Sequence, residues 1–373
     1  MSKRDIDRLP DESYFVASQW NLMWRKFRSH RLAIIGSVIL LFFVIVGVLF
    51  AEFFSTQDIN ERTSSYLYTR PQRIRLFDAN GKFHLRPFVY GLTPARNPVT
   101  FAFEYHDDTE SIHPIRFFVR GDPYEFWGLF DAHLHFIGLD DPDVPFYLFG
   151  TDHLGRDLFS RVVYATRVSL SIGFVGVIIS FVLGSILGGV SGYFGGAIDN
   201  IIQRSIEFLM SIPRIPLWMG LSAAIPLNWP PLRKYFIIVV ILSLIGWTGL
   251  ARVVRGYIIS LRDSDMVVAA RIAGATVSQQ LFRHLLPSFM SYLIIQLTLA
   301  VPGMILAETS LSFLGLGLRP PTVSWGVLLS VAQKVGTVYS YLWLMIPSIF
   351  VIVSVLAFNF IGDGLRDAAD PYK

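Results

Sequence analysis

Six apolar runs divide the chain, at 32–54, 168–190, 205–227, 236–255, 288–311 and 341–361. Each approaches or exceeds the ~20 residues a helix needs to cross a bilayer core, so six spans are predicted. The first run is too long for the apolar part of a signal peptide and lacks a small-residue cleavage site, so it is expected to stay as a helix. Residues 55–150 are polar, and there the period changes. RIRLFDANGKFHL, at 73–85, alternates around Asp78-Ala79-Asn80-Gly81 and predicts a β-hairpin. HPIRFFVRGDPY, at 113–124, predicts another strand ending in a turn. The expected fold class is an all-α polytopic membrane protein of six transmembrane helices, with a β-rich extracytoplasmic insertion between helices 1 and 2.

Several spans carry residues unfriendly to helices. The third has Pro213 and Pro216, the fifth Pro302-Gly303 and the sixth Pro347. They fit either a bundle that rearranges around a cavity or ordinary static kinks. In the second span Gly184 and Gly188 form a Gly-xxx-Gly pair, which predicts close approach of another helix.

Between the fourth and fifth runs lies VVAARIAGATVSQQLFRHLLP, at 267–287. Ala269, Ala270, Ala273 and Gly274 form one stripe on a helix, which leaves its backbone approachable. Ser264 or Asp265 would cap that helix, and Gly274 would end it. A second helix is predicted from about Ser278 to Leu286, before Pro287. Two readings fit this geometry: a docking element for a cytosolic partner, or a plain loop with interfacial helices.

Composition agrees with the spans: 53% of the 373 residues are hydrophobic and 16% charged, and the mean hydropathy is +0.49. There is no cysteine, which removes disulfides and thiolate chemistry. Arg25, Lys26, Arg28 and Arg31 crowd the start of the first run, so the N-terminus is expected inside. Six crossings then place the C-terminus and the 256–287 loop inside as well. Arg156, Arg161 and Arg167 stand against this rule, although they follow a long external segment where it weakens.

The loop resembles the EAA loop of ABC-importer permeases. Ala269, Ala270, Gly274, Leu286 and Pro287 match that pattern, whereas Val268 stands where the family has Glu and His284 where it has Ile. WRKFRSHRLAIIG (24–36), FGTDHLGRDLFSRVVYATRVSL (149–170), ETSLSFLGLGLRPPTVSWG (308–326) and NFIGDGLRDAADP (359–371) resemble the C-type subunit of oligopeptide, dipeptide and nickel permeases. The resemblance implies a type I ABC-importer permease fold in a bacterial inner membrane. It implies a cytoplasmic tail over 1–31, a first transmembrane helix over 32–54, the insertion over 55–150, and a permease core over 151–373 with its coupling loop at 264–287. It further implies a homologous second permease, two cytoplasmic ATP-binding subunits docked at Ala269, Ala270, Ala273, Gly274, Leu286 and Pro287, and an extracytoplasmic solute-binding protein. The solutes implied are peptides, or else oligosaccharides, opines or nickel, moved by alternating access.

No phosphate-cradling Gly-x-x-x-x-Gly-Lys-[Ser/Thr] run occurs, and the only Gly-Lys pair, Gly81-Lys82, lies in the predicted hairpin turn. The expectation is no catalytic residue, cofactor or metal in this chain, with ATP bound by partner subunits. The cluster Thr151 to Asp157 reads as a helix lead-in, with Thr151 or Asp152 as cap and Asp157 paired with Arg161. Arg204 and Glu207 are expected to pair, and Asp363, Arg366 and Asp367 to form an ion-pair cluster. His133 and His135 would share one strand face. Glu308, near the outer end of the fifth span, is read as a gate or packing residue. Two other classes remain open: a membrane enzyme with its site in 55–150, which needs a convergent catalytic set there, and an ion-driven secondary transporter, which needs acids at mid-span.

Overall fold

The computed structural model describes residues 19–96, 98, 103–141, 144–226 and 228–369. Residues 1–18 of the expected tail and 370–371 of the last motif lie outside the described residues. Among the described residues, five helices are long and apolar enough to cross a membrane. The chain starts with α1 (Gln19–Ser29) and α2 (Arg31–Phe43), which continues to Leu49 in wider π-type turns. After the insertion come α3 (Leu158–Phe194), α4 (Gly196–Ser211), α5 (Arg214–Ala223) and α6 (Pro231–Leu261). Then follow α7 (Asp265–Ile272), α8 (Met290–Phe313), α9 (Trp325–Ser330) and α10 (Ile346–Ala369).

The third apolar run is not one continuous helix. Ile212 leaves helical geometry, at φ −87° and ψ 127°, between α4 and α5. Pro213 follows it; its ring removes a backbone donor and disfavours helix in the residue before it. Pro302 stays inside a continuous α8. Pro347 lies in the first turn of α10, where its missing N–H costs nothing, so it breaks no helix.

The insertion holds a four-stranded antiparallel sheet in chain order: β1 (Arg75–Phe77), β2 (Phe83–Arg96), β3 (Phe103–Phe126) and β4 (Phe130–Leu139). The Asp78–Lys82 turn closes β1 on β2, with Gly81 at φ +79° and its N–H on the Asp78 carbonyl. The turn expected near 121–124 does not form. A register shift between Arg120 and Tyr124 absorbs Gly121-Asp122-Pro123, and β3 runs on to Phe126.

The glycine pair in α3 sits against α6. A Cβ on Gly184 would lie 2.9 Å from the Trp247 carbonyl oxygen, and one on Gly188 would meet that of Ala251. The lead-in to α3 is folded differently from the sequence expectation. Asp157, not Thr151 or Asp152, caps the helix, accepting the Ser160 N–H at 2.7 Å. Asp157 therefore does not pair with Arg161, which donates to the Ile59 carbonyl at 2.8 Å and lies 3.9 Å from Asp152. Asp152 instead receives Arg156 at 2.6 Å. Burial is the largest single influence on Asp152 and opposes its charge, but the Arg156 hydrogen bond, the charges of Arg156 and Arg161 and the Leu154 N–H together outweigh it and hold the carboxyl below the usual carboxylate range. Arg204 and Glu207 pair at 2.8 Å on the surface. Asp367 lies 3.7 Å from His30, which brings the end of α10 to the start of α2.

Candidate functional site

The segment between α6 and α8 is a rigid bent loop. Gly274, at φ +83°, ends α7 in the left-handed region that a Cβ disfavours, and its N–H bonds to Arg271. Thr276 opens the next helical stretch with a capping box: its N–H donates to Gln279 Oε1 at 2.8 Å, and its hydroxyl accepts the Gln279 N–H at 3.3 Å. That stretch runs from Val277 to Ser288, with π-type turns over Gln280–Leu285. Ser264 sits at the cap of α7 without a side-chain hydrogen bond.

Two sets of contacts hold the loop. Val267, Leu281, Leu285 and Leu286 pack with Val254 and Ile258 of α6. Buried Gln280 receives the Tyr193 hydroxyl at 2.6 Å and donates to the Ala275 carbonyl at 2.8 Å, while Arg262 donates to the Gly192 carbonyl at 3.1 Å. The ends of α3 and α6 thus lie side by side beneath the loop.

Of the residues singled out from sequence, Ala269, Ala270, Ala273 and Gly274 come together. Ala270 is half-buried and the other three are exposed. Leu286 is separate from that face, buried in the anchoring cluster, and Pro287 is exposed beside it. Val268 is exposed on the same helix as Ile272, which is 83% exposed. The position where the resembled family has an acid thus belongs to an apolar, outward pair.

Glu308 is fully buried. Its Oε1 accepts the hydroxyls of Ser312 at 2.8 Å and Ser324 at 2.7 Å. Ser324 caps α9, Ser312 accepts the Leu318 N–H, and Ser169 of α3 accepts the Trp325 N–H. The carboxyl therefore ties the 314–330 segment to α8.

Sequence reasoning missed two features. Arg214 starts α5 at the break in the third run and lines a cavity of about 240 Å³ with Ser180, Trp218, Gly246 and Gly303. An Arg inside an interrupted apolar run was a visible signal. Arg167 makes a two-pronged pair with buried Glu52, at 2.6 and 2.8 Å, and donates to the Val48 carbonyl at 2.9 Å. Those partners are more than a hundred residues apart, so spacing could not show them. In the insertion His135 is buried, with its ring nitrogens against the Ser55 and Asp122 carbonyls, whereas His133 is exposed. The two do not share an open face.

A bundle of five membrane-length apolar helices among the described residues, with a short two-helix loop between two of them, defines the class of polytopic membrane proteins. Residues 180–372 match the family described as binding-protein-dependent transport system inner membrane component, and residues 18–71 match the N-terminal TM domain of oligopeptide transport permease C. The chain belongs to the former family of inner-membrane permease components; it is a transport subunit and not an enzyme. It is 42% identical to the dipeptide transport system permease protein DppC of Bacillus subtilis (strain 168), over 60% of this chain and 68% of that one. It is 40% identical to the oligopeptide transport system permease protein OppC of Haemophilus influenzae, over 61% and 70%. Among solved structures, the inward-facing MetNI methionine ABC transporter aligns with 57% of this chain and 97% of that one, at 19% identity and TM-score 0.42.

Proposed function

We propose that this chain is the C-type permease subunit of an ATP-driven importer of peptides. It would form the translocation pathway with a homologous second permease. The dipeptide and oligopeptide permeases it resembles supply the substrate class. The carrying observation is the small-residue face of Ala269, Ala270, Ala273 and Gly274, half-buried at Ala270 and exposed elsewhere, on a loop braced against α3 and α6. A surface without bulk on a rigid mount suits a groove in an ATPase subunit, and a rigid mount transmits motion to the spans.

The ends of α3 and α6 are neighbours, through Arg262 and Gly192. The two helices therefore run in the same direction, and the chain must return across the membrane between them. Together α4 and α5 provide that return, giving six crossings with both termini on the cytoplasmic side. The cavity at Arg214 lies halfway along α3, α6 and α8 and is the proposed pathway face of this subunit. Glu308 is proposed as the fastening of the outer segment. The insertion is proposed as the docking or gating surface for the binding protein.

The test is reconstitution of both permeases, the ATPases and the matching binding protein in vesicles. Ala270→Trp should abolish peptide uptake and lower ATPase co-purification, while membrane insertion stays normal. Normal uptake with full ATPase recovery would refute the docking assignment. Replacing 60–145 by a short flexible linker should preserve basal ATP hydrolysis and remove its stimulation by the binding protein. Unchanged stimulation would refute the role of the insertion.

A further inference from the structure

Two hairpin turns of the insertion, β1–β2 and β3–β4, have opposite chemistry. The β1–β2 turn is Asp78-Ala79-Asn80-Gly81-Lys82, as water demands. The β3–β4 turn is Phe126-Trp127-Gly128-Leu129-Phe130, without one polar side chain. Phe126 and Phe130 pair across the strands, and the Leu129 N–H closes the turn on the Phe126 carbonyl at 2.9 Å. Trp127, Leu129 and Phe130 are 48%, 80% and 58% exposed. Trp127 also takes a positive φ of +52°, which a bulky side chain adopts only when its surroundings hold it there.

What holds it is the outer end of the first span. The Trp127 indole N–H donates to the Leu49 carbonyl at 2.9 Å, and Leu49 is the last residue of that span. Phe50 packs on Phe126 at 5.8 Å between ring centres. The Arg167 guanidinium lies 4.2 Å over the Trp127 ring while pairing with Glu52. The turn therefore stands level with the end of a membrane-crossing helix. The exposed row Val38, Leu41, Phe42, Ile45 and Leu49 of that helix leads directly to it. Of the five candidate spans this one is the least buried within the chain. The apolar row and the apolar turn form one surface.

We infer that the β3–β4 turn is embedded in the outer leaflet, at the boundary between lipid headgroups and acyl chains, and anchors the insertion to the bilayer beside the first span. The chemistry fits that depth. An indole with its N–H satisfied and its face against a guanidinium is the side chain enriched at this boundary, and Leu129 and Phe130 supply the apolar burial. Glu125 and Asp131, paired across the strands directly behind the turn and both exposed, set the limit of immersion. A protein partner covering the turn would have to neutralise these two acids at its rim, whereas headgroup water solvates them. The inference needs only the membrane setting and is independent of the peptide assignment. It also differs from a purely proteinaceous role for the insertion, because one end of the sheet is held at a set height over the pathway by lipid.

The absence of cysteine allows a direct test in the assembled transporter. Single variants Leu129→Cys, Phe130→Cys and Asn80→Cys are labelled with an environment-sensitive fluorophore and placed in nanodiscs of zwitterionic phospholipid. Lipid carrying a nitroxide near the top of its acyl chain should quench the labels at 129 and 130 at least threefold more than the label at 80. Aqueous iodide should show the reverse order. Substituting part of the lipid by an anionic one should not deepen the quenching, because Glu125 and Asp131 disfavour it. Iodide quenching at 129 and 130 equal to that at 80 would place the turn in water. Shielding of 129 and 130 from both quenchers would place it under a protein partner. Either result overturns the inference.

Discussion

Arg156, Arg161 and Arg167 lie on the outer side in the orientation assigned from Arg25, Lys26, Arg28 and Arg31, where loose basic residues are disfavoured. Their environments remove the conflict. Arg156 is buried against Asp152, Arg161 is buried on the Ile59 carbonyl, and Arg167 grips Glu52. Charges that are paired and packed are not loose basic residues, so they do not count against the expected orientation. Since Glu52 is almost wholly buried, removing its partner strands a carboxylate. Arg167→Ala is expected to cost about 3 kcal/mol and lower the thermal midpoint of the detergent-extracted protein by several degrees. The double variant Glu52→Gln with Arg167→Met should recover part of that loss, because no charge is left unpaired. An unshifted midpoint for Arg167→Ala would show that the pair is not holding the first span to α3.

At the scale of elements, the most extensive helix contact is α3 against α6. It was legible because Gly184 and Gly188 are four residues apart in an apolar run, and small residues at that spacing present one smooth face. The neighbouring Gly189 gives an internal control. A Cβ at 188 meets the Ala251 backbone, whereas at 189 the nearest atom is a Leu281 methyl at 3.9 Å. Gly188→Ala should therefore destabilise by about 2 kcal/mol through forced separation of the helices. Gly189→Ala should be neutral or slightly stabilising, as helix propensity favours alanine. Thermal melts of the two purified variants decide the matter, and equal behaviour would contradict the packing. The break between α4 and α5 was only half legible. Pro213 marked it, but the same sequence signal at Pro302 and Pro347 produced no break.

The whole molecule turns on how often the chain crosses. The proposed third crossing, made of α4 and α5, would put the α7 loop on the same side as the N-terminus; without it the loop would emerge on the opposite side. A cysteine at Asn80 should react with an impermeant thiol reagent in intact spheroplasts, and one at Gln279 should react only after permeabilisation. Both sites are exposed, so accessibility to water is not in question. Reaction at Gln279 in intact cells would remove the third crossing and with it the cytoplasmic placement of the loop.

The apolar runs by themselves determined a bundle of membrane-length helices, and the small-residue stripe at 269–274 a short helix ended by Gly274 between two of them; the basic cluster at 25–31 supplied the expected orientation. These depend on composition and on periods of a few residues, which survive without any knowledge of neighbours. The Asp78–Lys82 hairpin belongs with them, because turn chemistry is local. Tertiary structure alone decided which acid meets Arg167, that Asp157 caps α3 and leaves Arg161 to others, and that Leu286 anchors the loop without joining its exposed face. It also decided that β3 absorbs Gly121-Asp122-Pro123 in a register shift and continues to an apolar turn beside Leu49. Each of these outcomes depends on groups distant in sequence competing for the same hydrogen bonds and the same buried space. That competition is settled only when the chain is packed.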